Sequence, residues 1–226
     1  MKTIGMLGGT GWSSTIEYYK IINEIVHARL GGYHSAKILL KSIDYHQIMS
    51  NYGKNDDEIA LILKTELAEL LKLKPESLIV CCNSLHKYYD LVKRDLELTI
   101  PMFHAVELTA KYIKEKNYKN VLLLATRFTM EDGFFAKTLE QKDIQVTIPI
   151  IEEREMIQEI HADLMKNIVT EHGKKYFKDL INKYKSVDAV ILGCSEFPMV
   201  VSYANTQLPI VDPIYLQCQA AVDYSL

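Results

Sequence analysis

Four cysteines, Cys81, Cys82, Cys194 and Cys218, carry most of the reactive chemistry available to this chain. Cys82 and Cys194 each close an apolar stretch and lead into polar residues, Cys82-Asn83-Ser84 and Cys194-Ser195-Glu196. A thiol ionises near ~8.5, and a helix start or nearby donors bring it into the range of a working base. Two thiols flanking one carbon can act as a base on one face and an acid on the other, which inverts the stereocentre. Free cysteines at strand ends are also commonly small buried hydrophobes. The polar neighbours Asn83, Ser84 and Ser195 favour the chemical role, because such groups are out of place in a purely structural core. In a strand Cys81 points opposite to Cys82 and reads as buried, and Cys218 reads as core of a last apolar helix.

Other candidates group around these two. His86, four residues after Cys82, could tune that thiol or face solvent, and Glu196 could orient or deprotonate Cys194 or simply begin a helix. The turn Gly8-Gly9-Thr10-Gly11 after a first strand partly matches a dinucleotide fingerprint. The acid of the second strand, Asp44, comes too late for it, so a cradle for a small carboxylate is preferred, with Thr10 beside it. Thr126 and Thr129 could meet substrate, although capping alone explains Thr129. Tyr52, in the loop after the second strand, could line the same pocket. A zinc site from Cys81, Cys82, His86 and His104 lacks the usual ligand spacing, so no metal is expected. Arg154 among Glu152, Glu153 and Glu155 reads as a solvated helix face.

The elements that must position these groups alternate. Apolar strands are predicted at 2–7, 37–43, 78–82, 121–125, 144–148 and 189–192. Helical stripes fall between them: one capped by Ser14 and Glu17, one over 56–73, one over 85–96, one capped by Thr129 and Asp132, and one over 157–168. This is an α/β chain with parallel sheet covered by helices. Both halves follow one plan, an apolar strand, a Thr-bearing loop, a capped helix and a closing strand that ends in cysteine. Ligands of parallel sheets lie beyond the carboxyl ends of strands, where these loops and thiols fall. The 226 residues, 48% apolar and 24% charged, suffice for one large or two small cores. Lys+Arg 26 against Asp+Glu 29 leaves a net charge of -3, which argues against a nucleic-acid partner. The opening segment is broken by Gly5 and is a poor signal-peptide core, and no run approaches the ~20 apolar residues of a membrane span. With four sparse cysteines, a cytoplasmic location is expected.

At these residues the chain resembles the aspartate/glutamate racemase family, which uses no pyridoxal cofactor. The resemblance rests on Ile4-Gly5-Met6-Leu7-Gly8-Gly9 with Trp12, on Cys82-Asn83-Ser84-Leu85-His86, on Ala125-Thr126-Arg127-Phe128-Thr129 and on Gly193-Cys194-Ser195-Glu196, in the family's order. It implies two pseudo-symmetric α/β domains, 1–99 plus 210–226 and 100–209, with a site in the cleft between them and a homodimer. It also implies that Cys82 and Cys194 are the two acid/bases of a cofactor-independent amino-acid racemase. Asn83, Ser84, Thr126 and Ser195 would bind carboxylates, with Thr10 nearby. Thr10 stands where relatives often have Met. Met156 falls where many members carry a basic residue, which makes a neutral or longer substrate side chain plausible. The alternatives are a maleate-isomerase-like enzyme in which one sulfur adds to carbon, a non-catalytic amino-acid or dicarboxylate binder, and a nicotinamide enzyme.

Overall fold

The computed structural model describes residues 1–226. Their chain divides into two compact units, Met1–Ala105 with Ile214–Leu226, and Val106–Pro213. In the first unit, β1 (Ile4–Gly8) leads into α1 (Trp12–Leu30), then β2 (Ile38–Ser42), α2 (His46–Asn51), α3 (Asp56–Leu71), β3 (Ser77–Val80) and α4 (Leu85–Val92). The sheet order is β2-β1-β3, all parallel, with Ile4 opposite both Ile38 and Ser77. Every residue of β1 and β3 is buried, the signature of parallel strands covered on both faces.

The second unit runs through α5 (Ala105–Glu115), β4 (Asn120–Leu124), α6 (Arg127–Asp132), α7 (Phe134–Glu140), β5 (Gln145–Thr147), α8 (Ile151–Leu164), α9 (Glu171–Lys183), β6 (Ala189–Leu192), a 3-10 turn Phe197–Met199 and β7 (Ile210–Val211). Its parallel sheet has the order β5-β4-β6-β7. The last helix, α10 (Pro213–Ser225), belongs to the first unit from Ile214 onward. It sets Ile214, Cys218, Ala221 and Val222 among Ile4, Met6, Ile79 and Cys81 of the sheet and Tyr18, Ile22 and Val26 of α1. No helix is long and apolar enough to cross a membrane.

The order β2-β1-β3 recurs in β5-β4-β6, so the plan read twice along the sequence is present twice as topology. Several local details differ from the sequence reading. Helix α1 starts at Trp12 after a left-handed Gly11, and Ser14 does not cap it; its hydroxyl donates to the Gly11 carbonyl at 3.0 Å. Thr126 caps α6, so Thr129 is the residue whose N–H is accepted, at 3.4 Å. β7, whose Ile210 and Val211 pair with Val190 and Ile191, lies in the second unit. A two-residue strand is below the length at which periodicity is visible.

Candidate active site

The first thiol group is built by the end of β3. Its strand hydrogen bonding closes with Cys81, whose N–H donates to the Leu7 carbonyl at 2.9 Å, and the chain then turns into α4. Cys81 is fully buried in the core, and desolvation pushes its thiol well up, helped by the charge of Cys82. Cys82 is partly exposed. Its Sγ lies 3.3 Å from the Ser84 hydroxyl and 3.7 Å from the Tyr45 hydroxyl. Tyr52 completes the group, 2.8 Å from Ser84 Oγ and 3.0 Å from Tyr45 Oη. Burial first, then the charge of Cys82, raises both tyrosines well above the ordinary phenol range, so each remains a neutral hydroxyl.

His86 is fully buried and does not face solvent. Nδ1 lies 3.0 Å from the Cys82 carbonyl oxygen, and the Ala105 N–H donates to Nε2 at 3.1 Å. These partners assign Nδ1–H as the donor. Burial, then the neighbouring His104, lowers the pKa of His86 to about 3 against the backbone hydrogen bonds that raise it. The neutral ring thus anchors the cysteine's backbone through the Cys82 carbonyl. Asn83 is buried in the same turn, its carbonyl accepting from the His86 N–H at 3.3 Å.

The glycine turn packs tightly against this group. Gly9 has φ +86, and a Cβ there would stand 2.3 Å from the Ile43 carbonyl oxygen. Its N–H donates to Thr15 Oγ1 at 2.9 Å, and the Thr10 hydroxyl donates to the Cys81 carbonyl at 2.9 Å. The turn therefore uses the Gly9 N–H internally, and Thr10 ties the β1 loop to the residue before Cys82. Asp44, the acid that comes too late for the dinucleotide fingerprint, accepts from the His46 N–H at 3.0 Å just ahead of α2.

The second thiol group lies in the second unit. Cys194 follows β6 and leads into the 3-10 turn, not an α-helix, so no helix start lies beside it. Cys194 Sγ donates to Glu196 Oε2 at 3.0 Å, and the Ser195 hydroxyl donates to the same oxygen at 2.8 Å. His161 on α8 brings Nε2 to 3.7 Å from it. Burial raises the Glu196 carboxyl, but the hydrogen bonds from His161, Cys194 and Ser195 outweigh it and hold the group below its ordinary value. Phe197 fixes this corner by packing its ring 4.9 Å from Phe177 and 6.2 Å from His161. Thr126 Oγ1 lies 3.0 Å from Thr129 Oγ1 at the end of β4. Arg154 is not a solvated cation: its side chain is 14% exposed and lies 3.5 Å from Glu131.

Tyr45 and His161 were not singled out from sequence. A histidine inside the apolar stripe Ile157, Ile160 and Leu164 is an available signal, as is a tyrosine just past the carboxyl end of β2.

The Asp/Glu/Hydantoin racemase family profile matches residues 7–221. The chain belongs to this family. Membership makes it an isomerase of the racemase type. A crystal structure of a proposed Asp/Glu racemase from Yersinia pestis superposes with a TM-score of 0.89 at 34% identity, covering 100% of this chain and 99% of that one. An aspartate racemase homologue from Pyrococcus horikoshii OT3 gives 0.87 at 28% identity, covering 100% and 99%. The Broad specificity amino-acid racemase RacX of Bacillus subtilis is 22% identical over 219 residues, 92% of each chain.

Proposed function

We propose that this racemase-family chain inverts the α-carbon of a free amino acid by a two-base mechanism, with Cys82 and Cys194 as the acid/base pair and no cofactor. One observation carries the reading. Cys82 follows β3 and Cys194 follows β6, the corresponding strands of β2-β1-β3 and β5-β4-β6, and each sulfur has its own hydrogen-bonding partner.

The partners suggest a division of labour in the resting protein. Hydroxyls of Ser84 and Tyr45 can donate to the Cys82 sulfur, whereas the Glu196 carboxylate accepts the Cys194 proton. Cys82 then removes the α-proton from one enantiomer while Cys194 delivers its own to the opposite face. Each transfer leaves the thiols with exchanged protonation, ready for the reverse direction. The α-proton is weakly acidic, so hydrogen bonds must offset charge growing on the α-carboxylate. Thr10, Asn83, Ser84, Thr126 and Ser195 are the groups assigned to the substrate, with Tyr52 lining the same region. His86 and Glu196 are assigned to positioning, through the Cys82 backbone and the Cys194 sulfur respectively. Relatives named for aspartate, glutamate and broad specificity support an amino-acid substrate; half-buried Met156 on α8 keeps neutral side chains in the panel.

The test is a single enantiomer in heavy water, across acidic, neutral and basic amino acids. The wild type inverts its substrate with deuterium at Cα. Cys82→Ala and Cys194→Ala each lose inversion by at least about 10²-fold, and each retains exchange with at most one enantiomer, opposite for the two variants. No exchange across the panel, or undiminished inversion in both variants, overturns the reading. A cytoplasmic homodimer is its proposed setting.

A further inference from the structure

Three different metal-ligating side chains gather at one buried place in the second unit. Cys194 Sγ, a Glu196 carboxylate oxygen and a His161 ring nitrogen all lie within 4.8 Å of one another. Sγ is 3.0 Å from Oε2, and Nε2 is 3.7 Å from it. A tetrahedral zinc-type ion with bonds of about 2.0–2.3 Å requires ligand–ligand edges of roughly 3.3–3.6 Å. The present separations, up to 4.8 Å, bracket those edges, and three protein ligands would leave a fourth tetrahedral position for another donor. Thiolate, imidazole and carboxylate together suit zinc-type ions, whereas magnesium and calcium take oxygen ligands. Cys194 and Glu196 are 7% and 4% exposed, so an ion there would meet ligands already largely stripped of water.

We propose that His161, Cys194 and Glu196 form a binding site for a divalent transition cation of the zinc type, and that its occupation silences Cys194. On binding, the S–H bond of Cys194 breaks, a sulfur–metal bond forms and the proton leaves to solvent. A sulfur held by metal neither accepts nor delivers the α-proton, so inhibition is reversible by a chelator. The inhibitory consequence rests on the racemase reading; the binding does not.

Cobalt(II) is the probe, added to the purified, metal-free full chain. A near-ultraviolet thiolate-to-cobalt charge-transfer band grows in and saturates at a single equivalent, and zinc displaces it. The band survives Cys82→Ala and is lost in Cys194→Ala and in Cys194→Ser, whose folding is checked by circular dichroism. His161→Gln and Glu196→Gln keep the thiol and weaken cobalt binding at least about tenfold; they decide the matter if neither Cys194 variant folds. Absence of the band in the wild type overturns the proposal, as does its survival without Cys194 or its indifference to His161 and Glu196. A protein that binds cobalt but never exchanges a Cα proton loses the racemase reading alone. One that exchanges freely and takes no cobalt loses only the metal site.

Discussion

Cys82 and Cys194 are held by opposite kinds of partner, hydroxyls that can donate and a carboxylate that accepts. Removing the Tyr45 hydroxyl in Tyr45→Phe deletes one contact to the Cys82 sulfur and one to Tyr52. At about 0.5–1.5 kcal/mol per hydrogen bond, racemisation falls about two- to tenfold with the fold intact, read as kcat and KM separately. Glu196→Gln is harsher, because the carboxylate that orients Cys194 and Ser195 becomes an amide with donors of its own. Misplacing the sulfur costs about 10²-fold in inversion. Under the proposed two-thiol mechanism that variant is expected to lose exchange chiefly for the enantiomer assigned to Cys194, a signature that general loosening of the fold does not give.

At the scale of elements, the β1 loop and α4 bring the first thiol group together. Gly9 sits at φ +86 against the Ile43 backbone. Gly9→Ala therefore combines left-handed strain with a clash, and is expected to cost at least about 2 kcal/mol in urea unfolding. His86 pins the Cys82 turn as a neutral ring with a pKa lowered to about 3 from 6.5. As pH falls below 6.5, the unfolded chain takes up this proton and the folded chain does not, so stability is present at neutral pH and declines until about 3. Each tenfold in proton binding is worth about 1.4 kcal/mol. The urea midpoint should therefore drop steadily from pH 7 towards pH 4, and His86→Gln should flatten that limb.

For the whole molecule, α10 closes the core of the unit in which the chain began. A chain ending at Val211 loses Ile214, Cys218, Ala221 and Val222 from the cluster around Ile4, Met6 and Tyr18. It also loses Gln217, which donates to the Phe103 carbonyl at 2.5 Å and stands 3.2 Å from His86 Nε2. Burying an Ile or Val side chain contributes roughly 1.5–3 kcal/mol against a total stability of about 5–15 kcal/mol. Residues 1–105 of this truncated chain are expected to be protease-sensitive, while residues 106–211, whose sheet is complete, resist longer. Protection of both regions alike would show that α10 is dispensable.

Strand alternation, the apolar runs of β1, β3, β4 and β6, and the two Cys motifs were legible in the chain because burial and turn chemistry leave local patterns. The same patterns placed Cys81 and Cys218 in the core and gave the two halves one plan. Partnership across sequence left no such mark. Tyr45 beside the Cys82 sulfur 37 residues away, His161 beside Glu196, and the reach of α10 back to β1 follow from strand order and packing. His86 shows why: four residues from Cys82, its position suggests tuning a thiol, but the burial that empties its surroundings of water fixes it as a neutral anchor for the cysteine's carbonyl. Residue type states what a side chain can do; desolvation and neighbours, which only the folded chain supplies, decide what it does.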